Sequence, residues 1–144
     1  MNYLISPQYV LVKDKTESWQ EALELASKPI LDDKKIVKQY IEEMKNSVIQ
    51  NGPYMVLTDY FALMHAKPSQ YVNEQAMSLL VLKEAVDLLG KPVKIMLVLA
   101  TKDNHSHLES LQKIVSIFGN QKYFECILNG NIEEIKEMMK EVGK

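Results

Sequence analysis

Two nearly continuous apolar segments, residues 77–82 and 93–100, leave this chain few architectures to choose from. A strand with one wet face alternates polar and apolar residues. These segments do not, so they read as central strands covered on both faces. The longest unbroken apolar run, residues 95–100, is far too short to span a bilayer. Their cover must come from helices packed on either side, and the chain supplies them. Residues 17–27 place Trp19, Ala22, Leu23 and Ala26 at helical spacing, with Thr16 as cap and Lys28-Pro29 as the stop. A longer helix is expected from Asp32 to Gln50. Ile36, Val37, Tyr40, Ile41, Met44 and Val48 form its buried stripe, and Asn51-Gly52 ends it.

The rest of the chain fits the same plan. Gln8-Tyr9-Val10-Leu11-Val12 is short and β-rich, a candidate edge strand, and residues 54–57 form another strand. A helix over 105–118 is expected to turn Leu108, Leu111, Val115 and Phe118 inward, followed by a short helix over 122–128. Asn131, with Glu134 three residues on, caps a last helix whose apolar positions are Ile132, Ile135, Met138, Met139 and Val142. Strands central among helices make an α/β fold. The tight link at Gly90-Lys91-Pro92 favours an antiparallel pair, hence a mixed sheet flanked by helices, with strand order open. No repeat or linker interrupts residues 1–144, so a single domain is expected.

Composition narrows the function classes. A net charge of −2, with lysines interspersed among acids, gives no general attraction to nucleic acid or to an anionic membrane. One cysteine, Cys126, excludes an intramolecular disulfide, and its neighbours Phe124 and Ile127 mark it as a structural thiol. With no basic start followed by a long apolar core, neither a signal peptide nor direct membrane insertion is expected, and the assignment is cytoplasmic.

The chemistry gathers in two places. In Gly52-Pro53-Tyr54-Met55-Val56-Leu57-Thr58-Asp59-Tyr60-Phe61-Ala62-Leu63-Met64-His65-Ala66-Lys67-Pro68, an apolar segment breaks into a short loop bearing His65. Neutral imidazole is a good nucleophile near pH 7, and the Lys67 ammonium would neutralise an incoming phosphoryl oxygen. Pro68 restricts Lys67 to an extended conformation. On spacing alone, an ordinary loop histidine is the simpler reading. The second place is Lys102-Asp103-Asn104-His105-Ser106-His107-Leu108-Glu109, where a strand gives way to a helix, a common ligand position in open α/β sheets. His107 there reads equally as a capping histidine or as a support for phosphate on His65.

Other chemistries find little footing. His65, His105 and His107 are the only histidines, and 105 and 107 point to roughly opposite sides if both lie in a helix first turn, an objection that weakens if they lie in the preceding loop. No cysteine or carboxylate at ligand spacing accompanies them, so no metal is expected. The chain has no Gly-x-Ser-x-Gly elbow and no phosphate-binding glycine loop, which argues against a serine hydrolase and against a nucleotide cofactor.

The blocks Gly52-Pro53-Tyr54-Met55-Val56, Ala62-Leu63-Met64-His65-Ala66-Lys67-Pro68, Met77-Ser78-Leu79-Leu80-Val81-Leu82-Lys83, Leu97-Val98-Leu99-Ala100-Thr101-Lys102-Asp103-Asn104 and Ser106-His107-Leu108-Glu109 resemble, in order and spacing, the mannitol/fructose-type enzyme IIA domains of the bacterial sugar phosphotransferase system. With Trp19-Gln20-Glu21-Ala22, the Gly-Pro-Tyr block is most similar to the ascorbate-type branch. The resemblance covers essentially the whole chain. It implies a mixed sheet flanked by helices and a phosphotransferase working through a phosphohistidine. His65 would accept phosphate from the carrier protein HPr and pass it to an enzyme IIB, and through IIB to the membrane enzyme IIC complex. His107 matches the family's second histidine, beside the first. No cofactor, nucleotide or metal is implied at this step.

The chain also departs from the family. Where relatives usually read Pro-Gly-Ile-Ala-Met-Pro-His-Ala-Arg-Pro, this loop lacks glycine, carries Met64 before the histidine, and has Lys67 in place of arginine. Lysine binds phosphate as a point charge, without the arginine fork. That leaves open an alternative role, a phosphorylation-controlled regulatory module not coupled directly to transport.

Overall fold

The computed structural model describes residues 5–142. Five strands form one mixed sheet: β1 (Val10–Lys13), β2 (Val56–Thr58), β3 (Tyr60–Met64), β4 (Ala76–Leu88) and β5 (Lys91–Ala100). Their order is β1-β4-β5-β3-β2, with β1 and β4 parallel, β4 and β5 antiparallel, β5 and β3 parallel, and β3 and β2 antiparallel. The two apolar runs lie at the centre, as expected. Leu79 to Leu82 are fully buried, and Ile95 to Ala100 are at most 1% exposed. A two-residue turn joins β4 to β5 through Leu89 and Gly90, both at positive φ. The α/β class and mixed sheet are therefore as the sequence indicates.

Helices α1 (Trp19–Asp32) and α2 (Lys38–Asn51) cover one face, and α3 (Asn104–Phe118), α4 (Gln121–Leu128) and α5 (Ile132–Val142) the other. Ser78 of β4 donates to the Ala26 carbonyl of α1 on the first face. On the second, Phe61 stacks on Phe118 at 4.5 Å between centroids and meets Phe124 edge-on.

Five local expectations need correction. The cap of α1 is Ser18, whose Oγ accepts the Glu21 N–H at 3.1 Å, while Thr16 spends its hydroxyl on the Ser18 carbonyl. The same helix runs through Pro29 to Asp32. An interior proline costs about 3 kcal/mol; Ile30, fully buried one residue later, offsets a good part of that. Asp32 therefore ends a helix and caps none. Lys34 at φ +60° breaks the chain, Ile36 bridges to Val72, and α2 begins only at Lys38. Its stripe of Tyr40, Ile41, Met44 and Val48 is buried as expected.

The strand leading to His65 is Tyr60–Met64, which forms a hairpin with β2; the expected 54–57 strand lies earlier and is displaced to Val56–Thr58. Finally, α3 is rotated. Ser110, Ile114, Ile117 and Phe118 face inward, and Leu108 and Val115 are 58% and 67% exposed. Both stripes have helical spacing and share Phe118, so the spacing does not distinguish them; Ile114 and Ile117 complete the face that is buried. In α5, Ile135, Met138 and Met139 are buried and Asn131 caps the Glu134 N–H; the side chain of Val142 lies outside the described residues.

Candidate functional site

Topology brings the two chemical segments together. β3 and β5 are parallel neighbours, paired from Phe61↔Ile95 to Met64↔Val98, so both end at the same edge of the sheet. The residue after β3 is His65. The residue after β5 is Thr101, and α3 starts three positions later with His107 in its second turn. Adjacent carboxyl ends of parallel strands are a recurrent ligand position. The imidazole centroids of His65 and His107 lie 5.7 Å apart, with the rings inclined at 48°.

His65 is half-buried, and its Nδ1 lies 2.9 Å from the carbonyl oxygen of Leu63. A carbonyl can only accept, so Nδ1 carries the proton and the neutral ring keeps its lone pair on Nε2. Tyr54 meets the ring edge-on at 6.2 Å, and its hydroxyl shares a 2.7 Å hydrogen bond with Ser47.

His107 is half-buried too, with a longer contact of 3.4 Å from Nδ1 to the hydroxyl of buried Thr101. Burial, and then repulsion from His65, hold its pKa below the ordinary imidazole value. His107 is thus neutral at pH 7, with one ring nitrogen available as a donor.

Both histidines line an open cleft of about 650 Å³, together with Lys67, Pro68, Asn104 and the outer face of α2, where Glu43, Asn46, Gln50 and Asn51 stand. Lys67 is exposed and makes no ion pair among the described residues. His105 stands apart: its side chain is 83% exposed and lies 3.8 Å from Glu109. Cys126 is half-buried, and burial pushes its thiol pKa up, as suits a structural residue. Among the described residues no group of three histidines, cysteines or carboxylates is placed to hold a metal ion, and no helix is long and apolar enough to cross a membrane.

Three contributors carry no role in the sequence reading: Thr101 and Tyr54 stand there only within longer blocks, and Tyr40 only in an apolar stripe. Tyr40 did carry a signal: a phenol in a buried stripe must find a partner for its hydroxyl.

The chain is similar to known proteins along most of its length. Residues 3–142 match the profile of the family described as phosphoenolpyruvate-dependent sugar phosphotransferase system, EIIA 2. A mannitol-specific cryptic phosphotransferase enzyme IIA component of Escherichia coli K12 is 30% identical over 127 residues, covering 87% of this chain and 86% of that protein. An ascorbate-specific EIIA component of Mycoplasma pneumoniae is 27% identical over 123 residues, covering 83% and 77%. Among solved structures, the solution structure of the mannitol-specific cryptic enzyme IIA from Escherichia coli superposes with a TM-score of 0.86 at 26% identity, covering 96% of each chain. The Escherichia coli mannitol IIA in complex with phosphorylated enzyme IIB superposes at 0.79 with 13% identity, over 93% of this chain and 95% of that one, a likeness of fold alone. With the profile running through both histidine segments, the chain belongs to the EIIA 2 family of the phosphoenolpyruvate-dependent sugar phosphotransferase system.

Proposed function

We propose that this chain, as one enzyme IIA domain over residues 1–144, is a cytoplasmic phosphohistidine carrier in sugar uptake. It accepts phosphate from HPr on His65 and passes it to an enzyme IIB, which in turn serves a membrane enzyme IIC. The observation that carries the reading is the hydrogen bond from His65 Nδ1 to the Leu63 carbonyl, which leaves Nε2 unprotonated on a ring whose centroid is 5.7 Å from that of His107.

In the forward step, the Nε2 lone pair forms a bond to phosphorus. The bond from phosphorus to the donor breaks, and its electron pair leaves on the donor. Nδ1 keeps its proton, and the Leu63 carbonyl dipole stabilises the positive charge that develops on the ring. His107 gives a hydrogen bond to the phosphoryl oxygens without becoming phosphorylated. Lys67 supplies a positive charge at the mouth of the cleft. In delivery, a nucleophile of enzyme IIB forms the new bond to phosphorus while the bond to Nε2 breaks and its electron pair returns to the His65 ring. A mannitol IIA of the same fold was solved in complex with phosphorylated enzyme IIB, the kind of partner proposed here.

The test is to mix the protein with phosphoenolpyruvate, enzyme I and HPr and record intact mass. One acid-labile, base-stable phosphate is expected, and none on His65→Ala. A label that persists in that variant, or no label with a cognate HPr, contradicts the assignment.

A further inference from the structure

The cleft has a hidden support. Tyr40 of α2 is completely buried, yet its hydroxyl joins two separate segments of the site. The oxygen accepts the N–H of Ala66, the residue after His65, at 3.1 Å. Its own proton points to the Leu99 carbonyl at 2.9 Å, with the Ala66 carbonyl more distant at 3.3 Å. Leu99 stands two residues before Thr101, whose hydroxyl meets His107. The ladder between β3 and β5 has its last pair at Met64↔Val98. The phenol therefore continues the cross-link one step past the end of that ladder, between the segments that lead to the two imidazoles.

We propose that Tyr40 is a positioning residue for phosphoryl transfer, its hydroxyl fixing the backbone of the His65 loop to the strand end that carries Thr101 and His107. This rests on the reading of His65 as the phosphate acceptor. Packing alone does not require a tyrosine here, since phenylalanine would fill the same space. A buried hydroxyl is retained at a desolvation cost unless every bond is made, and here those bonds fall on the segments that set the separation of the rings. Burial, countered by the Ala66 bond and reinforced by Glu43, pushes the Tyr40 pKa up to about 12, so the donor does not ionise over the working range. Tyr40 touches neither ring and does no chemistry itself. Its contribution is geometric, and misplacement of reacting groups by about 1 Å can cost roughly 100-fold in rate.

Tyr40→Phe tests this, with Ser78→Ala as control because it removes another buried hydroxyl, bonded to Ala26 away from the cleft. With HPr as donor, Tyr40→Phe is expected to lower the maximal transfer rate about 10-fold or more. KM for HPr should stay unchanged, because a buried residue cannot touch the partner. Ser78→Ala should leave both constants as they are, even where its thermal stability falls as far. In the unphosphorylated protein, Tyr40→Phe should speed amide exchange at Ala66 and weaken the nuclear Overhauser contact between the His65 and His107 rings. An unchanged maximal rate overturns the proposal, as does an equal loss in Ser78→Ala. If the wild-type protein takes no phosphate, the carrier reading fails, and the ring contact alone decides on Tyr40. Its retention in Tyr40→Phe overturns the positioning role.

Discussion

The two histidines of the cleft are held in opposite ways. His65 follows a strand, its Nδ1 proton engaged by a backbone carbonyl at 2.9 Å and its neighbour Ala66 tied down by Tyr40. His107 rides on the second turn of a helix, its ring nitrogen 3.4 Å from a hydroxyl, with its pKa lowered by burial and by the first ring. A carbonyl fixes a tautomer, whereas a hydroxyl can donate or accept. The first ring is therefore built to present one lone pair in one direction. The second can adjust its protonation to the charge that arrives, which suits a group that stabilises phosphate without carrying it.

The sharpest way to break this contrast is His107→Ala. One preorganised donor to a developing oxyanion is worth about 100- to 1,000-fold in rate, and an open cleft places this one at or below the lower limit. The variant should still take phosphate on His65, about 100-fold more slowly or somewhat less. Quench-flow labelling checks it; a rate equal to wild type removes His107 from the mechanism.

How much of this was legible beforehand differs between the same two regions. The central strands were plain because both faces are apolar, and the His65 loop stood out through its residue order. The strand that presents His65 was not, because Tyr60 at φ +70° begins a hairpin partner whose tight turn at Asp59 carries no glycine signal. The rotation of α3 was equally hidden. Its two candidate stripes share Phe118 and are alike in periodicity, and the face that turns inward is set by packing against residues far apart in sequence, as Phe118 on Phe61 illustrates. The nearness of His65 and His107 follows from the parallel pairing of β3 with β5, a strand order that local sequence does not encode.

Lys67 sharpens the comparison from outside the ring pair. Its side chain is exposed, so screening limits its effect to about twofold to fivefold. Lys67→Gln should slow phosphate uptake by that much and flatten its salt dependence. Stopped-flow rates across a salt series would show it, and identical slopes would make Lys67 an ordinary surface residue.

A smaller effect concerns stability against pH. Because the folded-state pKa of His107 lies below its unfolded value, the unfolded chain binds more protons there as pH falls. Its contribution to stability is present above the ordinary imidazole pKa and is lost as pH falls through the depressed folded value. Phosphorylation of His65 replaces repulsion by attraction and should move the His107 titration upward. NMR titration of both states checks the direction; a downward or absent movement would place the phosphate elsewhere. The smallest expected effect is that of His105→Ala, whose exposed ring lies outside the cleft and whose transfer kinetics should match wild type.

The most direct test is to locate the phosphate atom by atom. Long-range proton–nitrogen and phosphorus correlation on the ¹⁵N-labelled phosphoprotein should place phosphorus on Nε2 of His65, with Nδ1 still protonated toward Leu63 and both nitrogens of His107 free of phosphorus. Phosphorus on Nδ1 of His65, or on His107, would contradict the account.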